Sequence, residues 1–491
     1  MSAPHALSRA VYLRLLGAVG LCAFTSLGVQ VRALVGSRGI VPAARLFEQP
    51  PTWASFLDRP SLFWWNASDT ALVGACAAGA LACLGVVLRL APRALLLLAW
   101  ALYLSLFHAG GPFLSFQWDT LLLETLLLSA FYAPASLRFA ADRPAPAHDG
   151  ARWLVRLLLF RLMLGAGVVK LTSGDPHWRD LTALDFHFWT QPLPGPLSSV
   201  AQGLPPALLK AATAATFVVE GILPFGVFGP PRVRAWTAAG FAALQLAILA
   251  TGNYGFFNLL TLALCVPLLD DAVLLRWVPA RWRQPEAASP VQPARWRRVL
   301  GGAAVGTIGL LGLAESAARC GVERPGLLAP ALRALSPWAS LNGYGLFATM
   351  TTERGEIRVE GSADGVTWRE FPLPWKPGDP SRRPPLLLGH MPRLDWQLWF
   401  AALGGCRKSG WLVELQRGLL RGDSDARALF AEDPFPDTPP RFVRTLRAPY
   451  RFSTSAERSG GAPLWDVGPA RPFCPVLALE GGQLRAVAGS P

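Results

Sequence analysis

The stretch VVKLTSGDPHWRDLTALDFHFWTQPLP, from Val168 to Pro194, marks the point where an apolar part of the chain becomes polar. It leaves an apolar run and then carries three Asp, two His and two Trp residues within one short segment. Such a change is typical of a membrane span that ends at the membrane surface. Three interpretations are open: an active site, a docking surface, or a loop that caps a helical bundle.

The composition indicates a membrane protein. The chain has 491 residues, of which 52% are hydrophobic and only 16% are charged, and the mean hydropathy is +0.32. These values predict a polytopic membrane protein with a soluble part attached. The net charge of +14 comes mostly from Arg residues at the ends of apolar runs, which favours a role in membrane topology over binding of nucleic acid.

Nine apolar runs are predicted to span the membrane, since a span needs about 20 mostly apolar residues and somewhat fewer inside a bundle. The first is interpreted as a span and not as a cleavable signal, because no clean cleavage site follows it. The nine runs are 12–30, 71–89, 94–110, 119–134, 153–171, 211–229, 235–252, 255–275 and 298–316.

Arginine clusters between these runs predict the topology. With nine spans all four clusters fall on the side of the N-terminus, which is cytoplasmic by the positive-inside rule. The stretch from Val168 to Pro194, called the opening stretch from here on, and the C-terminal part then both face outward. The clusters are Arg89 and Arg93; Arg138, Arg143 and Arg152; Arg232 and Arg234; and Arg276, Arg281, Arg283, Arg295, Arg297 and Arg298.

Five ionisable residues lie within or beside the predicted spans: Asp119, Glu124, Arg161, Lys170 and Glu220. Each charge costs about 2.5–3.5 kcal/mol at the bilayer centre, so such residues usually face the bundle interior and form pairs. We expect Glu124 to pair with Arg161 or Lys170. An ion pair that fixes helix packing and a polar cavity for a ligand both remain open for Glu220, whereas packing is favoured for Asp119 and Lys170.

The C-terminal third has the pattern of a soluble domain. Alternating segments flank Asp364-Gly365, which predicts a β-hairpin, and RLDWQLWFAALG and GWLVELQRGLL have helical periodicity. PRFVRTLRAPYRFSTS and FCPVLALEGG are predicted strands. The predicted fold is therefore a membrane all-α bundle of about nine transmembrane helices, followed by a mostly β, sandwich-like soluble domain with short helices. The predicted boundaries are 1–316 for the bundle, with outward loops near 31–70 and 172–210, 317–334 for a linker and 335–491 for the C-terminal domain.

Several C-terminal side chains suggest either a structural network or a client surface. A network of ion pairs is the favoured interpretation for Arg354, Glu356, Arg382, Arg383 and Asp395, and burial in the core is favoured for Trp375, Trp396 and Trp399. One disulfide among Cys320, Cys406 and Cys474 fits an oxidising compartment.

Acidic and histidine side chains in the opening stretch do not have the spacing of a metal or catalytic site. His177 and His187 are ten residues apart, and no HExxH motif or nucleophile elbow is present. We therefore interpret the stretch as a seat for the C-terminal domain, in which Arg179 and Asp180 reach different partners, such as Asp395 or Arg354. Its candidate residues are Lys170, Asp175, Trp178, Arg179, Asp180, His187 and Gln191.

Long motifs in both halves resemble the lipase maturation factor family. The first half contains FRLMLGAGVVKLTSGDPHWRDLTALDFHFWTQPLPGPLS (160–198), FLSFQWDTLLLE (113–124) and TGNYGFFNLL (251–260). The second half contains NGYGLFATMTTERGEIRVEGSADGVTWREF, WKPGDPSRRPP, PRLDWQLWFAALG and DPFPDTPPRFVRTLRAPYRFS. The membrane half also resembles, more weakly, the transmembrane module of vitamin K-dependent carboxylases.

The resemblance implies a multi-pass membrane protein that assists the folding of secreted lipases, with the C-terminal domain holding the client. Eukaryotic members reside in the endoplasmic reticulum membrane, whereas the composition, rich in Ala, Arg, Gly and Pro, favours a bacterial member in the plasma membrane. The resemblance supplies no catalytic residue, metal or cofactor. The alternative is a membrane enzyme or lipid-handling protein in which Glu220, Lys170 and His187 line one cavity. The oligomeric state stays open.

Overall fold

The computed structural model describes residues 5–135, 149–276 and 295–487, and its N-terminal part is helical. The predicted charge clusters at Arg138, Arg143, Arg281 and Arg283 lie outside these residues. The helices are α1 (Ala6–Gly28), α2 (Val31–Val35), α3 (Trp53–Asp58), α4 (Asp69–Val87), α5 (Pro92–Ala109), α6 (Gln117–Tyr132), α7 (Asp149–Thr172), α8 (Pro176–Arg179), α9 (Leu184–Thr190), α10 (Ser198–Gln202), α11 (Pro206–Phe217), α12 (Pro231–Thr251), α13 (Phe257–Cys265), α14 (Asp271–Leu274) and α15 (Arg295–Arg319).

Six helical segments in the described part of the chain are long and apolar enough to cross a membrane. They are Ala6–Gly28, Asp69–Val87, Pro92–Ala109, Pro206–Phe228, Pro231–Thr251 and Val299–Arg319. The fourth continues from α11 through a π-helical turn, Val218–Ile222, and a 3-10 segment, Leu223–Phe228.

The predicted count of nine spans is therefore not confirmed, because three predicted runs form helices of a different kind. Helix α6 has only 16 residues and includes two carboxylates, and α13 has nine residues. Helix α7 is 24 residues long but carries four basic side chains. Neighbouring helices pack around these three, with α5 and α7 against α6 and with α1 and α12 against α13. Because other helices, and not lipid, surround these three helices, they can be short or carry charged side chains.

Residues at the N-terminal end of α1 gather much of the charge of the membrane half. The backbone N–H of Ser8 donates to Asp271 at 2.8 Å. The neighbouring Asp270 forms ion pairs with Arg234 at 2.6 Å and with Arg152 at 3.8 Å. The N-terminus and two of the predicted Arg clusters therefore lie at the same end of the bundle.

The opposite end of α1 contacts the C-terminal part of the chain. Ser26 Oγ accepts a hydrogen bond from the backbone N–H of Met391 at 2.8 Å. Gln30 donates to the Met391 carbonyl at 3.0 Å and accepts from the N–H of Arg393 at 2.9 Å. The C-terminal part is thus attached at the end of the bundle that lies away from the N-terminus.

The C-terminal part contains one six-stranded antiparallel sheet with helices beside it. The strand order is β2-β1-β3-β5-β6, and β4 pairs with the end of β3. The strands are β1 (Arg354–Ser362), β2 (Arg369–Phe371), β3 (Phe442–Phe452), β4 (Trp465–Val467), β5 (Arg471–Glu480) and β6 (Gln483–Ala486); the helices are α16 (Ala329–Leu335), α17 (Arg393–Gly404), α18 (Gly410–Arg421), α19 (Ser424–Arg427) and α20 (Ser455–Ser459).

The predicted elements are confirmed, but the predicted sandwich is wrong for the described residues. The hairpin turns at Gly365, which has a φ of +79° that glycine adopts readily. Helix α17 packs on β1, and α18 packs on β3 and β5. Leu412, Leu415 and Leu419 of α18 are fully buried at helical spacing. Helices thus bury the apolar side chains of the sheet, which a second sheet would otherwise have to cover.

A disulfide joins Cys406, in the turn after α17, to Cys474 in β5, which confirms the prediction of one disulfide among three cysteines. Cys320 is the free member of the three. The bond ties the helical layer to the sheet across a sequence separation of 68 residues.

Replacing both Cys406 and Cys474 by Ala is expected to lower the free energy of unfolding of the C-terminal part by about 4 kcal/mol, because the crosslink limits the conformations of the unfolded chain. Thermal unfolding of the full chain, with and without reductant, measures this effect. Reductant should lower the midpoint of the wild type and of a Cys320→Ala control, but not that of the double variant. Equal sensitivity of all three proteins would contradict the assignment.

Candidate functional site

The opening stretch binds the segment that enters the sheet. Asp175 caps α8, where one carboxylate oxygen accepts the N–H of His177 at 2.8 Å and the other accepts the N–H of Met350 at 2.5 Å. The indole N–H of Trp178 donates to the carbonyl of Phe347 at 2.9 Å. Both side chains are buried. The structure therefore places the stretch at a junction between the two halves.

Arg354, the first residue of β1, is the main anchor of this junction. Its guanidinium donates to the carbonyl oxygens of Trp189 at 2.9 Å and Pro192 at 2.9 Å, and it also bonds the carbonyl of Gln191. The side chain is buried and pairs with Glu356 at 2.5 Å. A charged donor that satisfies three carbonyls of one turn fixes the path of that turn.

The predicted role of Arg179 is wrong. Arg179 and Asp180 are exposed, and within the described residues the Arg179 side chain forms no hydrogen bond or ion pair. They lie next to Leu181, whose φ of +58° ends α8. Arg354, one of the two partners predicted for Arg179 and Asp180, binds backbone carbonyls of the stretch instead. The predicted contacts were pairs of side chains, whereas the observed contact joins a side chain to the backbone.

The predicted C-terminal network exists in part. Glu356 is shared by Arg354 and Lys376, whose ammonium lies 2.5 Å from the second carboxylate oxygen. Asp395 accepts the backbone N–H groups of Trp375 at 3.1 Å and Lys376 at 2.9 Å. Lys376 was not among the residues predicted for this network.

Arg382 and Arg383 lie outside this network. Both are exposed, and Arg382 donates to the carbonyls of Leu373, at 3.2 Å, and Pro374. The two exposed arginines therefore remain available as surface groups beside the junction.

Burial raises the pKa of Asp395 from 3.8 to about 6, although two backbone N–H groups and Lys376 act in the opposite direction. The folded state thus holds this proton to a higher pH than the unfolded state. Stability from this group is present below pH 3.8 and is lost as the pH rises through about 6.

Asp395→Asn is expected to remove this pH dependence. Relative to the variant, the wild type should lose about 2 kcal/mol between pH 4 and pH 7, since one pKa unit corresponds to about 1.4 kcal/mol and the unfolded carboxyl is already partly ionised at pH 4. Denaturant unfolding of the full chain at both pH values measures the difference. An unchanged difference between the two proteins at pH 4 and pH 7 would rule out the raised pKa.

Asp119 and Arg393 form a buried ion pair between the two halves. Arg393, the first residue of α17, approaches the two oxygens of Asp119 at 2.7 and 3.0 Å. It also donates to the carbonyl of Phe113 at 2.6 Å, and the hydroxyl of Tyr103 donates to Asp119 at 2.6 Å. Asp119 is fully buried and Arg393 is 1% exposed. The packing role predicted for Asp119 is thus present, with a partner that the sequence did not reveal.

Glu124 pairs with Arg161 at 2.7 Å, one of its two predicted partners. Its other oxygen accepts the hydroxyl of Tyr344 at 2.7 Å and the amide of Asn342 at 3.2 Å. Arg161 also donates to Ser316 at 2.9 Å. This pair therefore holds the segment that leads from α15 into the C-terminal part.

Lys170 pairs with Glu220, which lies in the π-helical turn, at 2.6 Å. Both line a small chamber of about 50 Å³ together with Gln245 and Asn258. The alternative prediction required His187 in the same cavity, but His187 lines a different and larger one. Burial and the charge of Lys170 lower the pKa of His187 to about 4, so His187 is neutral at neutral pH.

A motif around Asn253 completes the junction. The Asn253 amide donates to the carbonyls of Pro194, at 2.9 Å, and Pro385, at 2.8 Å, and its oxygen accepts the N–H of Leu387 at 2.7 Å. Asn253 lies in the motif TGNYGFFNLL, and no role was predicted for it. The signal in the sequence that could have indicated this role was a single Asn after an apolar span.

The larger cavity, of about 1170 Å³, lies between the start of α6, the end of α15 and α17. Trp396 and Trp399 form part of its wall and are 3% and 8% exposed, as predicted for core residues. The indole of Trp399 donates to the carbonyl of Thr190 at 2.8 Å. Within the described residues, no group of three or more His, Cys, Asp or Glu side chains is placed to hold a metal ion.

Comparisons with known proteins agree with both halves of this architecture. A model described as the lipase maturation factor transmembrane domain matches residues 7–276, and one described as the lipase maturation factor C-terminal domain matches residues 340–475. The chain belongs to the lipase maturation factor family. Asp119 and Arg393, which join the two halves, lie within the two matched ranges.

Individual relatives align with most of this chain and with most of their own length. Lipase maturation factor 2 of Xenopus laevis is 33% identical over 97% of this chain and 83% of the relative. The Homo sapiens lipase maturation factor 2 is 35% identical over 92% and 80%, and the Bos taurus lipase maturation factor 1 is 33% identical over 94% and 86%. These relatives are from vertebrates and give the predicted bacterial origin no support. No solved structure matches the chain.

Proposed function

We propose that this chain is a membrane-anchored maturation factor that binds a secreted lipase or a related hydrolase while the client folds. Relatives named lipase maturation factor 1 and 2 support this function. The structural observation that supports it most is the buried junction, in which Arg393 and Arg354 attach the C-terminal part to the membrane half. A part held in one orientation presents the client with a fixed surface.

The proposal includes a topology in which nine helical segments cross the membrane. The six long apolar segments surround α6, α7 and α13, which cross inside the bundle. The N-terminus and the Arg clusters lie on the cytoplasmic side, and the C-terminal part lies on the other side. The gathering of Ser8, Arg152 and Arg234 at one end of α1 supports this orientation.

The proposed boundaries are a bundle of residues 1–316, a linker of residues 317–334 and a C-terminal domain of residues 335–491. The endoplasmic reticulum membrane is the proposed location in a eukaryote, and the plasma membrane in a bacterium. The disulfide between Cys406 and Cys474 supports an oxidising environment for the C-terminal domain.

The client surface proposed here lies beside the junction, on residues 381–388. Arg382 and Arg383 are exposed, and Leu386 is 49% exposed. Asn253 fixes the backbone of this segment through Pro385 and Leu387. An exposed apolar side chain close in sequence to two exposed cations suits an incompletely folded hydrolase with apolar and acidic surface. The buried Arg354, Glu356 and Asp395 position the surface without touching the client.

Photo-crosslinking tests this function. A benzophenone amino acid replaces Arg383 in the full chain, or Arg485 as a control on the distant strand β6, and a secreted lipase is co-expressed. We expect lipase adducts from position 383 and at least tenfold fewer from position 485. Equal adducts at both positions, or none from position 383 while lipase activity still depends on the chain, would contradict this client surface.

A further inference from the structure

Two residues that line the large cavity carry buried hydrogen-bond donors with no acceptor. The indole N–H groups of Trp118 and Trp396 form no hydrogen bond within the described residues, although both residues are only 3% exposed. Their rings lie 4.6 Å apart, and both residues line the cavity. Buried indole N–H groups normally have a partner. A ligand with acceptor oxygens would supply it.

The rim of the same cavity is basic. Arg319 and Arg333 line it, are exposed, and form no ion pair within the described residues. The acidic rim residue Glu315 is already paired with Arg324 at 2.8 Å. The rim therefore carries a surplus of positive charge, which favours an anionic ligand.

In the proposed topology, the cavity lies at the membrane surface. Residues Ala318 and Arg319 belong to a helix that is apolar enough to span a bilayer, so the cavity opens where that helix ends. At this opening Val322 is 59% exposed and Leu403 is 48% exposed. Phe116 and Phe400, which also line the cavity, stack at 5.4 Å, and Phe400 is 39% exposed. Together these side chains give an acyl chain an apolar surface to lie on.

We propose that this cavity binds one anionic glycerophospholipid of the surrounding membrane. Trp118 and Trp396 donate to its phosphate or ester oxygens, Arg319 and Arg333 neutralise its phosphate, and the aromatic wall holds an acyl chain. The volume of about 1170 Å³ exceeds the ~300–1,000 Å³ of most small-molecule sites. This site goes beyond the proposed function, because the client surface at residues 381–388 is separate. The lipid fills the space between the two halves.

Photoactivatable lipids test this site without any lipase. The purified full chain is placed in phosphatidylcholine vesicles that contain photoactivatable phosphatidylserine, and adducts are mapped by mass spectrometry. We expect adducts within residues 115–120 and 396–403. Photoactivatable phosphatidylcholine should label these residues at least tenfold less, since it lacks the net negative charge.

Two pairs of variants separate binding from bulk lipid contact. Arg319→Gln with Arg333→Gln changes exposed residues only and should lower the labelling about tenfold, whereas Arg485→Gln should not change it. Trp118→Phe with Trp396→Phe should lower the labelling by a similar factor, because two hydrogen bonds are lost. The control Trp64→Phe should leave labelling intact, since that indole donates to Arg59 outside the cavity.

Three results would overturn the proposal. The first is equal labelling by the two phospholipids, and the second is unchanged labelling of the arginine variant. The third is labelling by a photoactivatable fatty acid but not by either phospholipid. Failure of lipase crosslinking at position 383 would leave this result untouched, so the two proposals fail separately.

Discussion

Replacing Arg393 by Met is expected to destabilise the attachment of the C-terminal part by about 3–5 kcal/mol. The reason is that the variant leaves the carboxylate of Asp119, which is fully buried, without its counter-ion. Thermal unfolding of the full chain in lipid nanodiscs, combined with protease accessibility of residues 381–388, measures the loss. We expect a lower midpoint and faster cleavage.

Two comparisons show whether the burial of the pair is the cause. Arg32 and Asp425 also join the two halves, but the Arg32 side chain is 51% exposed, so Arg32→Met should cost less than about 1 kcal/mol. The double variant Asp119→Leu with Arg393→Met should be more stable than the single Arg393 variant, because it removes the stranded charge. A double variant as unstable as the sum of the single variants would contradict this explanation.

The second large effect is expected for Arg354→Met. This change removes the hydrogen bonds to three backbone carbonyls of residues 189–192 and leaves those carbonyls buried. An unsatisfied buried polar group costs about 1–3 kcal/mol, so the total reaches at least about 3 kcal/mol. Hydrogen exchange of residues 184–194 in the full chain should accelerate by about a hundredfold.

Arg358→Met is the matched control for Arg354. Arg358 lies on the same strand and pairs with Glu370 at 2.5 Å, but its side chain is 33% exposed. Its loss should leave exchange of the opening stretch unchanged. Similar acceleration in both variants would show that general damage to β1, and not the Arg354 anchor, orders the stretch.

Periodicity predicted the secondary structure of this chain well, because the apolar pattern is local. The hairpin at Asp364-Gly365, helix α17 and strand β3 all follow from alternation or helical spacing. The layer that covers the sheet of the C-terminal part could not be predicted in this way. Apolar strand faces require a cover, but their pattern does not say whether a helix or a second sheet supplies it.

The candidate site shows the same division. Glu124 was expected to pair with a basic residue of the following span, and Arg161 is that partner. The partner of Asp119 lies 274 positions away in the other half of the chain, where no local pattern reveals it. Backbone carbonyls leave no trace in side-chain chemistry, so the contacts of Arg354 were also beyond prediction.

We propose that the client matures only while the junction between the two halves stays closed. Secreted lipase activity per molecule of lipase, in cells that depend on this chain, tests it most directly when Arg393→Met is compared with Arg32→Met at equal expression. We expect full activity with Arg32→Met and at least a fivefold loss with Arg393→Met. Full activity with Arg393→Met, in cells where protease cleavage shows the junction open, would contradict it.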